Sequence, residues 1–313
     1  MGKLKGEIFM YQIQLGKSGL SVPTVAVGCM RISEMNEKEV AAFVDTALEN
    51  GANFFDHADI YGAGKSELVF GKAISPSMRE KVLIQTKCGI ISGKMFDFSY
   101  EHIMESVDGS LKRLGTDYID VLLLHRPDAL MEPEEVAKAF DELQVAGKVR
   151  YFGVSNQNPY QMQLLQNSLS MPLCANQLQF GIMHAPMIQS GINVNMYNDS
   201  AVNRDGGVLD FCRLHQITIQ PWSPMQFGFF EGCFIDHEKF PELNACMDTL
   251  AEKYGITKTT LAFAWILRHP AKMQPVTGTT NLTRLADCLK AADVKLSRED
   301  WYEIYKAAGN VLP

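Results

Sequence analysis

Asp56, Tyr61, Lys87 and His125 are the side chains of this chain best suited to moving a proton. They sit in FFDHADIYG, VLIQTKCG and DVLLLHRPD, each an apolar run that ends in polar residues. Such a run reads as a buried strand delivering its last residues to a loop. A lysine or an aspartate at a buried strand end is costly unless paired, and Asp56 and Lys87 are expected to pair each other. A cation beside a phenol favours tyrosinate, so Lys87 is expected to lower the pKa of Tyr61 from its usual value of about 10. A phenol of that kind can hand its proton to a carbonyl oxygen, and the chemistry expected is carbonyl reduction. His57 and Asp59 form an H-x-D pair, but His57 is read as packing and no metal is expected.

The elements that would position these groups alternate along the chain. YQIQLGKSGLSV reads as a hairpin around Gly16 to Gly19, followed by a first strand over 24–28. Asn36 and Glu39 form a capping-box pattern that starts a helix, and Gly51 ends it. Further strands are ANFFD, KVLIQTK, YIDVLLLH, VRYFGVS, LCANQL, ITIQPWS and MQPVTG. Helices are read over 66–73, 100–114, 133–146, 159–168, 208–215 and 281–292. A last helix over 298–309 is expected to close the rim or bottom.

Nearly all-apolar strands alternating with helices predict a parallel sheet buried on both faces. Eight such units close into an α/β fold of the (β/α)₈ type, a TIM barrel with an N-terminal hairpin and a C-terminal helix. A doubly wound sheet is the runner-up; it is disfavoured because no strand opens into G-x-G-x-x-G. GAGKSE after Tyr61 is neither that motif nor a Walker A loop. Two long connections, 180–207 and 226–240, leave strand C-terminal ends, where barrels build active sites. The second carries Phe227, Phe229, Phe230 and Phe234, and Phe227 is read as a substrate wall.

The 313 residues are 46% hydrophobic and 21% charged, an ordinary globular composition, and are expected to form a single domain over 1–313. A net charge of −7 argues against nucleic acid as a partner. Seven scattered cysteines without a C-x-x-C pair favour reduced thiols, and Cys88 is read as a packed small residue. The first ten residues carry no apolar run of signal length, and Gly6 breaks the myristoylation pattern. No apolar run is long enough to cross a bilayer. A cytoplasmic protein acting on a small molecule is expected, its oligomeric state open.

The chain resembles the aldo-keto reductases over essentially its full length. FDHADIYG carries the Asp and Tyr of that family's tetrad as Asp56 and Tyr61, IQTKCG its lysine as Lys87, and LLLHRPD its histidine as His125. The resemblance implies reduction of aldehydes or ketones by hydride from NADPH, with NAD as the alternative cofactor. It implies that Ser155 and Asn156 of GVSN, with Gln177 of ANQLQF, hold the nicotinamide carboxamide, and that Trp222 stacks on the ring. Tyr61 and His125 would also meet the substrate. Met30 and Arg31 follow the first strand at the same mouth and are read as contacts to cofactor or substrate, with simple rim packing as the alternative. The pyrophosphate is expected on the backbone after strands seven and eight, with Ser223, Pro224, Met225 and Gln226 on one side and Gly278, Thr279 and Thr280 on the other. Arg284 falls where the family grips the adenosine 2′-phosphate. Two departures stand out: Gly278 replaces a lysine near that phosphate, and Cys288 replaces an asparagine facing the adenine. Two other functions stay open at this point. One is a cofactor-binding regulatory subunit, since potassium-channel β-subunits resemble this fold. The other is a Schiff-base aldolase using Lys87.

Overall fold

The computed structural model describes residues 11–313. The expectations about a leader and a lipid site on the first ten residues lie outside that range. Seven short strands pair in parallel in chain order: β1 (Val27–Gly28), β2 (Phe54–Asp56), β3 (Leu83–Cys88), β4 (Ile119–Leu124), β5 (Val149–Ser155), β6 (Ala175–Gln179) and β7 (Thr218–Trp222). The two edges of this sheet meet through residues 274–277. The amides of Gln274 and Val276 donate to the carbonyls of Ile219 and Pro221 at 3.0 and 2.8 Å. On the other side Ala26 donates to Pro275, and Thr277 donates to Ala26, both at 2.9 Å. Residues 274–277 are therefore an eighth strand and the fold is a (β/α)₈ barrel. Regular pairing there shrinks to one Ala26–Val276 bridge, because Pro275 has no N–H to donate. A Cβ on Gly28 would lie 2.0 Å from the Thr277 carbonyl oxygen, so only glycine lets the first and eighth strands close.

Two apolar cores follow from strands buried on both faces. Inside the barrel, Ala26, Phe54, Val121, Leu123, Ala175 and Val276 pack with Leu15 and Val22. The last two come from the hairpin of Gln12–Gln14 and Ser21–Pro23, which plugs the N-terminal end of the barrel. Its Gly16 amide donates to Thr218 Oγ1, at the start of β7, at 2.8 Å. Outside, the helices lie on the strands: Phe140 of helix Pro133–Val145 stacks on Phe152 of β5 at 4.0 Å between ring centroids. Each such fully buried side chain contributes about 1.5–3 kcal/mol by leaving water.

Asn36 accepts from the amides of Lys38 and Glu39 while Glu39 accepts from the Asn36 amide, so the expected capping box starts helix Glu37–Glu49. The stretch between β7 and the eighth strand also holds helices Pro241–Tyr254 and Lys258–Leu267, which the strand count passed over. The second has nearly every face buried and so shows little amphipathic period. The last helix, Arg298–Ala307, packs against helices Pro241–Tyr254 and Lys258–Leu267. Its apolar stripe is matched to helices, not strands: Trp301 stacks on Trp265 at 4.7 Å, and each indole N–H donates to the other residue's carbonyl. Among the described residues no helix is long and apolar enough to cross a membrane.

Candidate active site

Parallel strands send all their C-terminal ends to one rim, and that collects polar residues distant in sequence. Asp56 ends β2, Lys87 is next to last in β3, His125 follows β4, Ser155 ends β5 and Trp222 ends β7. Tyr61 reaches the same rim from the turn after β2. Its neighbour Gly62 has φ +56°, and a Cβ there would come within 2.5 Å of Ser33 Cβ, so this turn requires glycine.

Lys87 is fully buried. Its ammonium donates to Asp56 Oδ1 at 2.9 Å, Asp56 Oδ2 at 2.8 Å, the His57 carbonyl at 2.6 Å and Tyr61 Oη at 3.2 Å. Four acceptors thus compete for three N–H groups, and Tyr61 holds the longest contact. Burial alone would depress the Lys87 pKa, but Asp56 and then Tyr61 outweigh it and hold the ammonium above its usual value. A lysine so protonated and enclosed has no lone pair for a carbonyl, which removes the Schiff-base reading.

The expected acidification of Tyr61 is corrected. Burial pushes the phenol above its ordinary value, Lys87 pulls it down, and Asp56 pushes it up again. The reason is first of all burial of the phenol, with the Asp56 carboxylate opposing the pull of the ammonium. Tyr61 is therefore a protonated phenol at neutral pH. Because its oxygen accepts from Lys87, its own proton is free to point towards the cleft. Burial, followed by the charges of Lys87 and Arg126, holds His125 well below its usual value, so the imidazole is neutral. Its Nδ1 is buried without a partner, and the other ring nitrogen is the one left open to the cleft. The Tyr61 and His125 rings meet edge to face at 5.9 Å.

Below Asp56 runs a chain of amides that the apolar reading of the strands did not anticipate. Gln85 Nε2 donates to Asp56 Oδ1 at 2.5 Å and to Gln220 Oε1 at 3.0 Å. Gln220 Nε2 donates to Gln85 Oε1 at 3.1 Å and to Gln274 Oε1 at 2.8 Å, and Gln274 Nε2 reaches the Pro23 carbonyl at 2.7 Å. Strand alternation puts Gln85 and Lys87 on the same inward face, and register sets Gln85 beside Asp56. All three glutamines are fully buried. Gln85→Leu strips partners from Gln220 and Asp56 together, and we expect it to lower stability by about 2 kcal/mol, read by urea unfolding.

A cleft of about 530 Å³ opens at this rim. It is lined by Asp56, Tyr61 and His125, and by the expected Met30, Arg31, Ser155, Asn156, Gln177 and Trp222. The segment Ser223, Pro224, Met225 and Gln226 forms one wall, with Gly278, Thr279, Thr280 and Arg284 on another. Ser155, Asn156 and Trp222 are already joined: Asn156 Nδ2 donates to Ser155 Oγ at 2.8 Å, and Trp222 Nε1 donates to Asn156 Oδ1 at 3.1 Å. Gln177 Nε2 donates to Asp56 Oδ1 at 3.0 Å, leaving its oxygen for other partners.

Three expected residues do not line the cleft. Lys87 lies behind Tyr61 and Asp56. Cys288 is fully buried with Leu285 and Leu289 on the core face of helix Leu282–Leu289, so it has no opening towards a ligand. Phe227 turns under the small hairpin Gln226–Phe227/Gly232–Cys233, where it packs edge-on against His237 and Phe240 at 5.0 and 4.9 Å. Phe230, at the turn of that hairpin, takes its place on the wall and stacks on Trp222 at 6.0 Å. Sequence reasoning also passed over Ile60, Ile90 and Arg126, which line the cleft. Arg126 had a signal, since it directly follows His125 at a strand end.

His57 is fully buried edge-on against Phe70 at 4.5 Å, and burial lowers its pKa to about 3. Burial likewise pushes the Cys88 thiol well up. Among the described residues no group of three His, Cys, Asp or Glu side chains is placed to hold a metal ion.

A barrel whose rim joins an Asp–Lys pair, a tyrosine and a neutral histidine beside a long cleft matches known proteins. Residues 24–308 match the model of the aldo/keto reductase family, and the chain belongs to that family. It is 33% identical over 304 residues to the 6-dehydroglucose reductase of Agrobacterium fabrum, covering 92% of this chain and 95% of that one. It is 32% identical over 309 residues to the oxidoreductase YdhF of Escherichia coli, covering 95% and 97%. A thermostable aldo-keto reductase solved with the inhibitor epalrestat superimposes with a TM-score of 0.77 at 25% identity, over 95% of this chain and all of that one. The protein is an NAD(P)H-dependent aldo-keto reductase, an oxidoreductase of carbonyl chemistry.

Proposed function

We propose that the chain, acting as one domain, reduces aldehydes or ketones to alcohols with NADPH, Tyr61 serving as general acid. The observation that carries this reading is the Tyr61 hydroxyl, 3.2 Å from the Lys87 ammonium and at the wall of the cleft. Tyr61 accepts from Lys87 and gives its own proton to the carbonyl oxygen. His125, neutral, donates to the same oxygen and orients it. Lys87, locked by Asp56, steadies the tyrosinate as it forms and stays an ammonium, and the phenol regains its proton from water in the cleft. The enclosed rim keeps these dipoles out of bulk water, where they count for most.

The cleft suits a dinucleotide because its two ends differ. One end offers the amide and hydroxyl groups of Ser155, Asn156 and Gln177, which match a carboxamide. The other offers arginines and the backbone of Gly278 to Thr280, which match phosphates. Bound NADPH supplies the hydride. Arg31 extends from the loop after β1 and donates from Nη1 to the Gly278 carbonyl. A Cβ on Gly278 would sit 3.0 Å from that nitrogen. The guanidinium thus fills the space beside Gly278, where the family resemblance implies a lysine, and with Arg284 it supports NADPH over NADH. Replacing either arginine by alanine should weaken NADPH about tenfold and NADH far less, by fluorescence titration. The reading itself is tested by following NADPH loss across a panel of aldehydes and ketones. Binding without oxidation by any of them would end it.

A further inference from the structure

The cleft carries three arginines, 31, 126 and 284, but a single carboxylate, Asp56, which Lys87 already holds. A basic cleft in a chain of net charge −7 is built for anions. Arg31 and Arg284 stand on the side of the 278–284 segment and meet the cofactor in the reading above. Arg126 stands elsewhere. It follows β4, beside His125, and its guanidinium carbon lies 5.6 Å from the centre of the Trp222 ring.

Arg126 is half-buried, yet among the described residues it forms no ion pair. Asp128, two residues on, spends its oxygens on the amides of Phe98 and Leu130 instead. A guanidinium partly removed from water without a counter-ion is costly, and the face of Trp222 offsets only part of that. None of its nitrogens is sealed in the protein, so its donors are available to a molecule in the cleft. The planar fork of an arginine is matched best by a carboxylate or phosphate. Around the rim, the loops after β2, β3 and β4 place Ile60, Ile90 and Arg126 in succession, with Tyr61 and His125 alongside. That is an apolar bed ending in a cation.

We infer that the substrate is a small carbonyl compound bearing an anionic group, a carboxylate in the first instance. Arg126 binds that group while the carbonyl oxygen meets Tyr61 and His125. The inference rests on the reductase reading and adds the substrate class to it. Arg126 binds in the ground state and the transition state alike, so its effect falls on KM and not on kcat.

The test is a set of matched probes: succinic semialdehyde with its methyl ester, 4-formylbenzoate with its methyl ester, and glyceraldehyde 3-phosphate with glyceraldehyde. We expect kcat/KM for the carboxylates to exceed that of the esters by about ten- to a hundredfold, carried by KM. Arg126→Ala should collapse that ratio towards one, Arg126→Lys should keep part of it, and added salt should raise KM for the acids alone. A preference confined to the phosphate pair would replace carboxylate by phosphate as the partner and overturn the carboxylate assignment. Equal turnover of acid and ester by the unaltered protein would overturn the inference while leaving the reductase reading intact. An equal loss for glyceraldehyde in Arg126→Ala would reduce Arg126 to a neutral hydrogen-bond donor, and a parallel loss of NADPH affinity would assign it to the cofactor; both overturn it. Turnover of none of the probes, esters included, would bring down both readings.

Discussion

Tyr61→Phe is expected to lower kcat for carbonyl reduction by about 10²–10⁴-fold, the usual worth of a positioned general acid. The fold should barely notice. The ring remains, keeping its edge contact with His125 and its place 4.9 Å from the Lys87 ammonium. Loss of the hydroxyl removes the longest of four contacts at Lys87 and leaves three acceptors for three N–H groups. Urea unfolding within about 1 kcal/mol of the parent, unchanged NADPH affinity and near-complete loss of turnover would together mark an acid rather than a strut. Turnover within a few-fold of the parent would remove Tyr61 from the mechanism.

The same residue sets the pH profile of reduction. An acid must be protonated to act, and burial holds the Tyr61 phenol above its ordinary value. Reduction should therefore stay level through neutral pH and decline only above about pH 10, the usual tyrosine value. His125, held well below the usual imidazole range, stays neutral throughout and adds no inflection between pH 6 and 8. A fall in kcat/KM centred near neutrality would contradict both assignments.

Lys87→Met carries the second large effect, and it falls on stability and turnover together. Removing one partner of a buried ion pair strands the other, a cost of about 3–5 kcal/mol. Asp56 keeps two amide donors, Gln85 and Gln177, on Oδ1, which places the expected loss at the lower end of that range. Turnover should fall as well, because nothing then steadies the tyrosinate that forms as Tyr61 gives up its proton. The double variant Asp56→Leu with Lys87→Met separates the two roles. It should regain much of the stability, since no charge is left unpaired, yet stay inactive. Restored activity alongside restored stability would reduce the pair to a structural element.

The barrel was legible in the sequence because each signal is local. Asn36 with Glu39, the left-handed Gly115 and the fully buried run of β4 act within a turn or a strand and need no distant partner. The eighth strand was expected but its raggedness was not, since Pro275 interrupts a ladder whose other side comes from residues near position 26. The placement of Trp301 depends on Trp265, a partner no periodicity reveals.

For the site, chemistry and order along the chain marked Asp56, Tyr61, Lys87 and His125, because polar residues at the ends of apolar strands must meet at one rim. Residue type alone could not decide which way Phe227, Phe230 and Cys288 face. Burial is a property of the folded neighbourhood: a hairpin turned Phe227 under and Phe230 out, and a helix face took Cys288 into the core. Nor could it foresee that burial would outweigh the pull of Lys87 on Tyr61, or that three glutamines from separate strands would satisfy one another inside the barrel. Which residues are present, and in what order, belongs to the chain by itself. How their charges and hydrogen bonds balance depends on distances of a few ångströms between segments far apart in sequence, and only the closed barrel sets those.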